Sequence, residues 1–208
     1  MMNTPISLGV GDILTERPFT HPHHTHNDQA VLQQLAAILY PIADRRRQVE
    51  EAQQPHVVRT SDAAGQAHRI ILIRPQTLLA RRSLTLVGFF GQRRAQADDA
   101  RLHPLDEVLV QELPGNPDLL SYSSVALPCG NYANLVLFAR PEGKQQWSQS
   151  QTHAEAVDLA PDFYASVRIY NGRFPQGLHP DAIPHLDTVK YFDYGSQPLW
   201  RAVRRLGQ

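Results

Sequence analysis

LLSYSSVALPCGNYANLVLFA, residues 119–139, and FYASVRIY, residues 163–170, decide the fold of this chain. The first stretch has the pattern of two strands, Leu119–Leu127 and Tyr132–Ala139, joined by a tight turn. The second alternates strictly between apolar and polar residues, which is the period of a strand whose two faces meet different surroundings. The segment Lys144–Leu159 lies between them and has the spacing of a helix.

Two further strands and one helix complete the pattern. Leu84–Phe90 and Thr188–Tyr194 are strand candidates, and a helix is predicted over 100–113. Counted from Leu84, the order is β-α-β-β-α-β with an extra strand, which is the ferredoxin-like arrangement of an α+β protein. Helices then cover one face of the sheet and leave the other face bare. Two subunits often pack such faces together as a dimeric α/β barrel, so we expect a homodimer.

The sequence divides into an N-terminal arm and helix, residues 1–55, and a ferredoxin-like domain, residues 56–208. Residues 1–27 show no sustained period and are predicted to be an arm or a loop, followed by a helix that includes Val31 and Ile42. Four imidazoles stand in HPHHTH, residues 21–26, and could bind a divalent metal. No acidic or Cys residue stands beside them at ligand spacing, so we favour a dispensable tail. The last residues, 197–206, are predicted to form a short helix.

Composition narrows the class of protein. The 208 residues are 42% hydrophobic and 19% charged, with a net charge of zero. Nothing in that balance indicates nucleic acid or an anionic membrane as a partner. No apolar run approaches the roughly 20 residues of a membrane-spanning helix. The single cysteine, Cys129, permits no internal disulfide, so we expect a reducing cytoplasm and interpret Cys129 as a turn residue.

The polar positions of the strands are the candidate site. Hydroxyls and amides orient a ligand, and Arg168 offers a planar fork for a carboxylate or oxyanion. We expect Arg168 to bind either a ligand or a structural carboxylate such as Asp193 or Asp187. Tyr164 and Arg168 are predicted catalytic residues. The predicted substrate-binding residues each carry a hydroxyl or amide on a predicted strand: Tyr122, Tyr132, Asn134, Ser166 and Tyr170. The alternative for this surface is a dimer interface, because interfaces also use Tyr and Arg.

His153 is the third predicted catalytic residue. Its ordinary pKa lies near neutrality, which suits a general base, a proton shuttle or a metal ligand. The alternative is a partly buried, hydrogen-bonded histidine with a structural role.

A partial resemblance links residues 153–206 to the haem-binding chlorite dismutase-like group of dimeric α/β barrels. It rests on His153, SVRIYN around Arg168, Gly177-Leu178, Tyr191-Phe192-Asp193 and the predicted last helix. The resemblance implies a haem with His153 as its axial ligand and Arg168 as its distal group. The wider superfamily includes cofactor-free monooxygenases, which the chain resembles in element order.

Three functions remain open on this evidence. The first is an enzyme that acts on a small, partly apolar metabolite, aromatic or carboxylate-bearing. The second is a haem-dependent oxidoreductase or dismutase-like protein. The third is a non-catalytic ligand-binding or assembly subunit.

Overall fold

The computed structural model describes residues 4–48, 54–62, 65–98 and 103–207. Within these residues, nine strands form one sheet and five α-helices accompany them. The strands are β1 (Ile6–Leu8), β2 (His56–Ser61), β3 (Ala67–Leu72), β4 (Leu84–Arg93), β5 (Leu119–Ala126), β6 (Tyr132–Phe138), β7 (Tyr164–Phe174), β8 (His185–Asp193) and β9 (Trp200–Arg205). The helices are α1 (His23–Arg45), α2 (Pro75–Ala80), α3 (His103–Glu112), α4 (Pro141–Ser148) and α5 (Gln151–Phe163).

The predicted ferredoxin-like core is confirmed by the order of the strands. The sheet reads β1-β9-β8-β7-β4-β6-β5-β3-β2. Its centre, β7-β4-β6-β5, is antiparallel throughout and places the four core strands in the order fourth, first, third, second. That is the ferredoxin-like sheet. The hairpin β2–β3 extends it beyond β5, while β8, β9 and the short parallel strand β1 extend it beyond β7.

One face of the sheet, here called the helix side, packs against α3 and α4. Val110 of α3 and Trp147 of α4 contact a buried cluster made of Ile71, Ile73, Leu113, Leu119, Val136 and Phe138. The single helix predicted over 144–159 is two helices, α4 and α5. The break occurs because the Ser150 hydroxyl accepts a hydrogen bond of 3.2 Å from the His153 amide and caps a new helix.

The opposite face, here called the α1 side, was predicted to be bare, and it is not. Helix α1 lies on it, and its residues Leu32, Leu35, Ala36 and Leu39 have no exposed surface. They pack against the inward side chains of the central strands, among them Leu86, Leu135 and Leu137. Pro41 does not end the helix, which continues to Arg45. A homodimer stays a prediction, and it requires a surface other than this face. The division into residues 1–55 and 56–208 also stays a prediction.

Both ends of the chain differ from the sequence prediction. The first residues are not a detached arm, because β1 pairs with β9 and α1 already begins at His23. The last residues form β9 instead of a helix, because Ala202 and Arg204 alternate inward at the period of a strand. The fully buried Arg204 guanidinium donates to the carbonyls of Gly9, Asp12 and Thr20 and to the Tyr191 hydroxyl, at 2.7–3.0 Å. These bonds tie the segment before α1 to the sheet, so its deletion together with the tract at 21–26 should destabilise the fold, unlike the dispensable tail predicted from the sequence.

Candidate functional site

A row of half-buried side chains crosses the helix side of the sheet. The strand register places Arg69 of β3 opposite Ser124, Ser124 opposite Asn134, Asn134 opposite Phe89, and Phe89 opposite Ile169 of β7. All five are partly exposed, although they lie in the middle of the sheet and beside a helical layer. The side chains on the reverse of the same strands, such as Leu86 and Leu135, are fully buried. At the centres of β4, β5 and β6, solvent therefore reaches the helix side and not the α1 side.

Asn134 of this row and the neighbouring Tyr122 form its polar centre. The Asn134 side-chain amide donates a hydrogen bond of 2.7 Å to the Tyr122 hydroxyl oxygen. Burial raises the pKa of the Tyr122 phenol, so the hydroxyl keeps its proton at physiological pH. Because its oxygen accepts from Asn134, the Tyr122 proton remains to be donated to another acceptor. The predicted residue Tyr132 lies opposite Gly91 on the same face.

Tyr164 joins this face through a β-bulge. Gln92 pairs with Ser166 and Arg93 pairs with Tyr164, so Ala165 is the extra residue and Tyr164 points to the other side from Ser166. The Tyr164 ring packs edge-on against Phe89, with centroids 5.2 Å apart. A Cβ on Gly91 would lie 2.3 Å from the Tyr164 ring, so the ring occupies the space that this glycine leaves. We call Arg69, Tyr122, Ser124, Asn134, Phe89, Tyr132, Tyr164 and Ile169 the helix-side site.

An ion pair lies at one end of the helix-side site. Arg69 binds Asp106 of α3 in bidentate fashion, with Nη2 to Oδ1 at 2.7 Å and Nη1 bonded to Oδ2. The side chains are 23% and 38% exposed, so the pair lies at the solvent margin. The charges of Arg69 and Asp106 both act on the pKa of Tyr122, the first lowering it and the second raising it. The guanidinium and the phenol therefore face the same region.

Three predicted site residues lie on the opposite face. Ser166, Arg168 and Tyr170 point toward the α1 side, since Arg168 pairs with Phe90 and Ser166 with Gln92 in the register. The expectation that they share a face with Tyr132 and Asn134 is wrong, because Asn134 aligns through β4 with Ile169 and not with Arg168. The Ser166 hydroxyl donates to the Gln92 side chain at 2.9 Å.

Arg168 has a structural carboxylate as its partner. Its Nε and Nη2 donate to Asp28 of α1 at 2.6 Å and 2.9 Å. Only 15% and 7% of the two side chains are exposed. The expected partners are engaged elsewhere, Asp187 with Arg173 and Asp193 with Arg17. Arg168 therefore joins the N-terminal part of α1 to the sheet.

Tyr170 and His24 lie beside this ion pair. We call Asp28, Arg168, Tyr170 and His24 together the Arg168 cluster. The Tyr170 ring is fully buried beside Phe90, and its hydroxyl lies next to Asp28 without a well-aligned hydrogen bond among the described residues. Burial raises the pKa of Tyr170. Burial, followed by the positive charge of Arg168, lowers the pKa of His24. Asp28 and Tyr170 are buried between α1 and the sheet, and Arg168 and His24 are partly buried beside them.

His153 lies on the helix side, near the start of α5. Its ring is 5.4 Å from the Trp147 ring, and burial lowers its pKa, which favours the neutral imidazole. The implied haem arrangement does not fit these positions. His153 and Arg168 lie on opposite sides of the sheet, so one haem cannot have the first as its axial ligand and the second as its distal group.

The histidine tract spans the start of α1, which begins at His23 and contains His24 and His26. The Nδ1 atoms of His21 and His23 are 2.5 Å apart, and the His24 ring lies against His23 with centroids 4.0 Å apart. Across the described ranges, no group of three or more His, Cys, Asp or Glu side chains is arranged to hold a metal ion. The side chain of Cys129 lies outside the described part of the structure, and its backbone forms a 3-10 turn.

A groove of about 570 Å³ lies at the β1 edge of the sheet. It is lined by Thr4, Ile6, Arg17 and residues 196–201. Its charged wall is already engaged, because the Arg17 guanidinium lies 4.5 Å above the Trp200 ring and contacts Asp193 at 3.3 Å. We therefore place the candidate site on the helix side, where polar groups face an open surface.

Among the residues of the helix-side site that the sequence prediction left out are Arg69 and Phe89. Arg69 belongs to HRIILI, where an arginine between apolar residues was the available signal of a polar position on a strand. Phe89 and Gly91 belong to GFFG, whose second glycine, Gly91, marks a close approach of the Tyr164 ring to the backbone.

Comparisons with known proteins give similarities of fold only. No family model matches the chain, and no curated protein matches it. Among solved structures, a proposed monooxygenase from Lactobacillus acidophilus aligns over 76% of this chain and 93% of its own, at 10% identity and a TM-score of 0.41. A protein of unknown function from Nitrosomonas europaea aligns over 44% of this chain and 89% of its own, at 12% identity and a TM-score of 0.39. A monooxygenase-like protein from Listeria innocua aligns over 57% of this chain and 75% of its own, at 12% identity and a TM-score of 0.32. These values assign no activity to the chain.

None of the described helices is long and apolar enough to cross a membrane.

Proposed function

We propose that this protein is an enzyme that binds a small, partly apolar metabolite in the helix-side site. One observation carries the proposal: at the centres of β4, β5 and β6 the α1 side is buried, whereas the helix side is partly exposed, and there Tyr122, Asn134 and Arg69 interrupt an aromatic surface. Ligand sites typically combine an apolar lining with a few polar groups that fix orientation. The predicted residues Tyr122, Tyr132, Asn134 and Tyr164 all belong to this surface.

The chemistry that these groups support is the polarisation of a carbonyl or carboxyl oxygen. Tyr122 remains protonated and has a hydrogen to donate, while Asn134 fixes the position of its oxygen. His153 lies on the same side of the sheet beside Trp147, and burial lowers its pKa, which favours the neutral imidazole; in this proposal it accepts a proton from the substrate. We keep a cytoplasmic location and a homodimer as parts of the proposal. The single cysteine supports the first.

A binding experiment tests the site before any reaction is known. Benzamide is a suitable neutral probe, because it combines an aromatic ring with a carbonyl oxygen. We expect NMR to detect saturable binding of benzamide to the unaltered protein and weaker binding to the Asn134→Leu variant. Ser166→Ala is the matched control on the α1 side and should bind benzamide as the unaltered protein does. Equal binding by both variants, or no binding at all, would contradict the proposal.

A non-catalytic binding module is the second candidate, because the same surface can hold a ligand without turnover. The two are separated by Tyr122→Phe. An enzyme loses turnover of a carbonyl substrate more than it loses binding, whereas a binding module changes in affinity alone.

A further inference from the structure

The pair of Arg69 and Asp106 points to the chemical class of the ligand. We propose that the ligand of the helix-side site carries a carboxylate, which replaces Asp106 on the Arg69 guanidinium and accepts a hydrogen bond from Tyr122. This inference rests on the proposed function, since it names the substrate class of the same site.

The geometry of Arg69 is already that of a carboxylate receptor. Two of its nitrogens donate to the two oxygens of Asp106, the parallel arrangement in which guanidinium groups bind carboxylates most strongly. The Asp106 carboxylate thus stands in for the carboxylate of a ligand. Arg69 projects from β3, so the sheet fixes its backbone position independently of Asp106.

The pair is also exchangeable. Asp106 is 38% exposed and Arg69 is 23% exposed, so separating them leaves neither charge in a dry interior. Exposed ion pairs contribute little net stability, because water solvates the separated charges well. The pair of Arg168 and Asp28 is the contrast: it has similar bidentate contacts, but the side chains are only 15% and 7% exposed. That pair cannot yield to a ligand without stranding Asp28.

Tyr122 supplies a second contact to the same ligand group. Its oxygen accepts from Asn134, so its proton is directed elsewhere. Arg69 pairs with Ser124 and Tyr122 pairs with Ile71, so Arg69 and Tyr122 are diagonal neighbours on the helix side. A carboxylate has enough lone pairs to accept from a guanidinium and a phenol together. Phe89 and Ile169 continue the row and offer an apolar surface to the rest of the ligand. The chemistry describes a carboxylate attached to an aromatic or similarly flat apolar body.

The test compares benzoate with benzamide, which has the same ring without the charge, at constant ionic strength. We expect benzoate to bind about tenfold more tightly, the factor typical of a hydrogen bond to a charged group. The Asp106→Asn variant should bind benzoate several-fold more tightly, because it removes the competing carboxylate. Arg69→Gln should remove the preference for benzoate, and Arg69→Lys should keep part of it because the charge remains without the fork.

The outcomes separate this inference from the proposed function. If both probes bind equally, or if Asp106→Asn weakens benzoate binding, the carboxylate assignment is wrong and the site itself stands. If neither probe binds, both proposals fail. Thermal unfolding of each variant confirms that it is folded, and Arg69→Lys provides the readout should Arg69→Gln not fold.

Discussion

The two faces of this one sheet use the same kinds of residue for different ends. On the α1 side, Arg168 and Tyr170 are enclosed by a helix, and Arg168 binds a buried Asp28. On the helix side, Arg69 and Tyr122 remain partly exposed, and Arg69 binds a partly exposed Asp106. The residue types do not distinguish a structural cluster from a candidate site. Burial of the partner does.

The largest effect is expected from breaking the buried pair. Arg168→Ala leaves Asp28 unpaired in a nearly dry environment and should lower the free energy of unfolding by about 3–5 kcal/mol. Arg173→Ala is the matched control, because its pair with Asp187 is 43% and 42% exposed. That variant should lose less than about 1 kcal/mol. Chemical denaturation measures both, and similar losses would remove the distinction between the two kinds of pair.

Two glycines on β4 compare the faces directly. A Cβ on Gly88 would lie 2.8 Å from Leu32 of α1, inside the packed core. Gly88→Ala should therefore cost about 1–3 kcal/mol through overpacking, with benzamide binding unchanged.

Gly91→Ala should have the reverse profile. The added Cβ meets the ring of Tyr164, which is partly exposed and can turn away. We expect stability to change less than in Gly88→Ala and benzamide binding to weaken. Calorimetry of both variants checks the pair of predictions. If benzamide binding weakened in Gly88→Ala and not in Gly91→Ala, the site would lie on the α1 side, contrary to the proposal.

Tyr122→Phe sharpens the assignment of the helix-side site. Losing one neutral hydrogen bond should weaken benzamide binding by about threefold to tenfold. Tyr170→Phe is the control on the α1 side, where the hydroxyl lies among buried groups. It should leave binding unchanged, and isothermal titration distinguishes the two variants. A larger effect of Tyr170→Phe would point to the Arg168 cluster instead.

The smallest effect concerns pH. Burial lowers the folded-state pKa of both His24 and His153 below the ordinary value of 6.5. The unfolded chain therefore binds protons more readily, and stability falls as the pH drops through 6.5 toward the lowered values. Denaturation curves between about pH 5 and 8 measure this slope. His24→Gln and His153→Gln should each flatten it, and an unchanged slope in both variants would contradict the assignment.

The sequence predicted the core of the fold because its signals are local. Alternation in 163–170 and the turn at 128–131 define strands without reference to distant residues. Helix α1 was also predicted from its apolar spacing. Its destination on the sheet was not, because nothing in Leu32 or Leu35 says which surface they cover.

The site was harder to predict for the same reason. Which residues share a face depends on the register between strands and on the bulge at Ala165, neither of which a single strand encodes. Tyr122, Tyr132, Asn134 and Tyr164 do lie together, whereas Ser166, Arg168 and Tyr170 do not join them. The partner of Arg168 comes from a helix 140 residues away, and no periodic pattern could name Asp28.

The most direct test of the account is an NMR titration with benzamide that resolves both faces at once. Backbone and methyl resonances should shift at the helix-side site, with saturation at a common concentration, while the Arg168 cluster stays unperturbed. Shifts centred on the Arg168 cluster, with the helix-side site unaffected, would contradict the account.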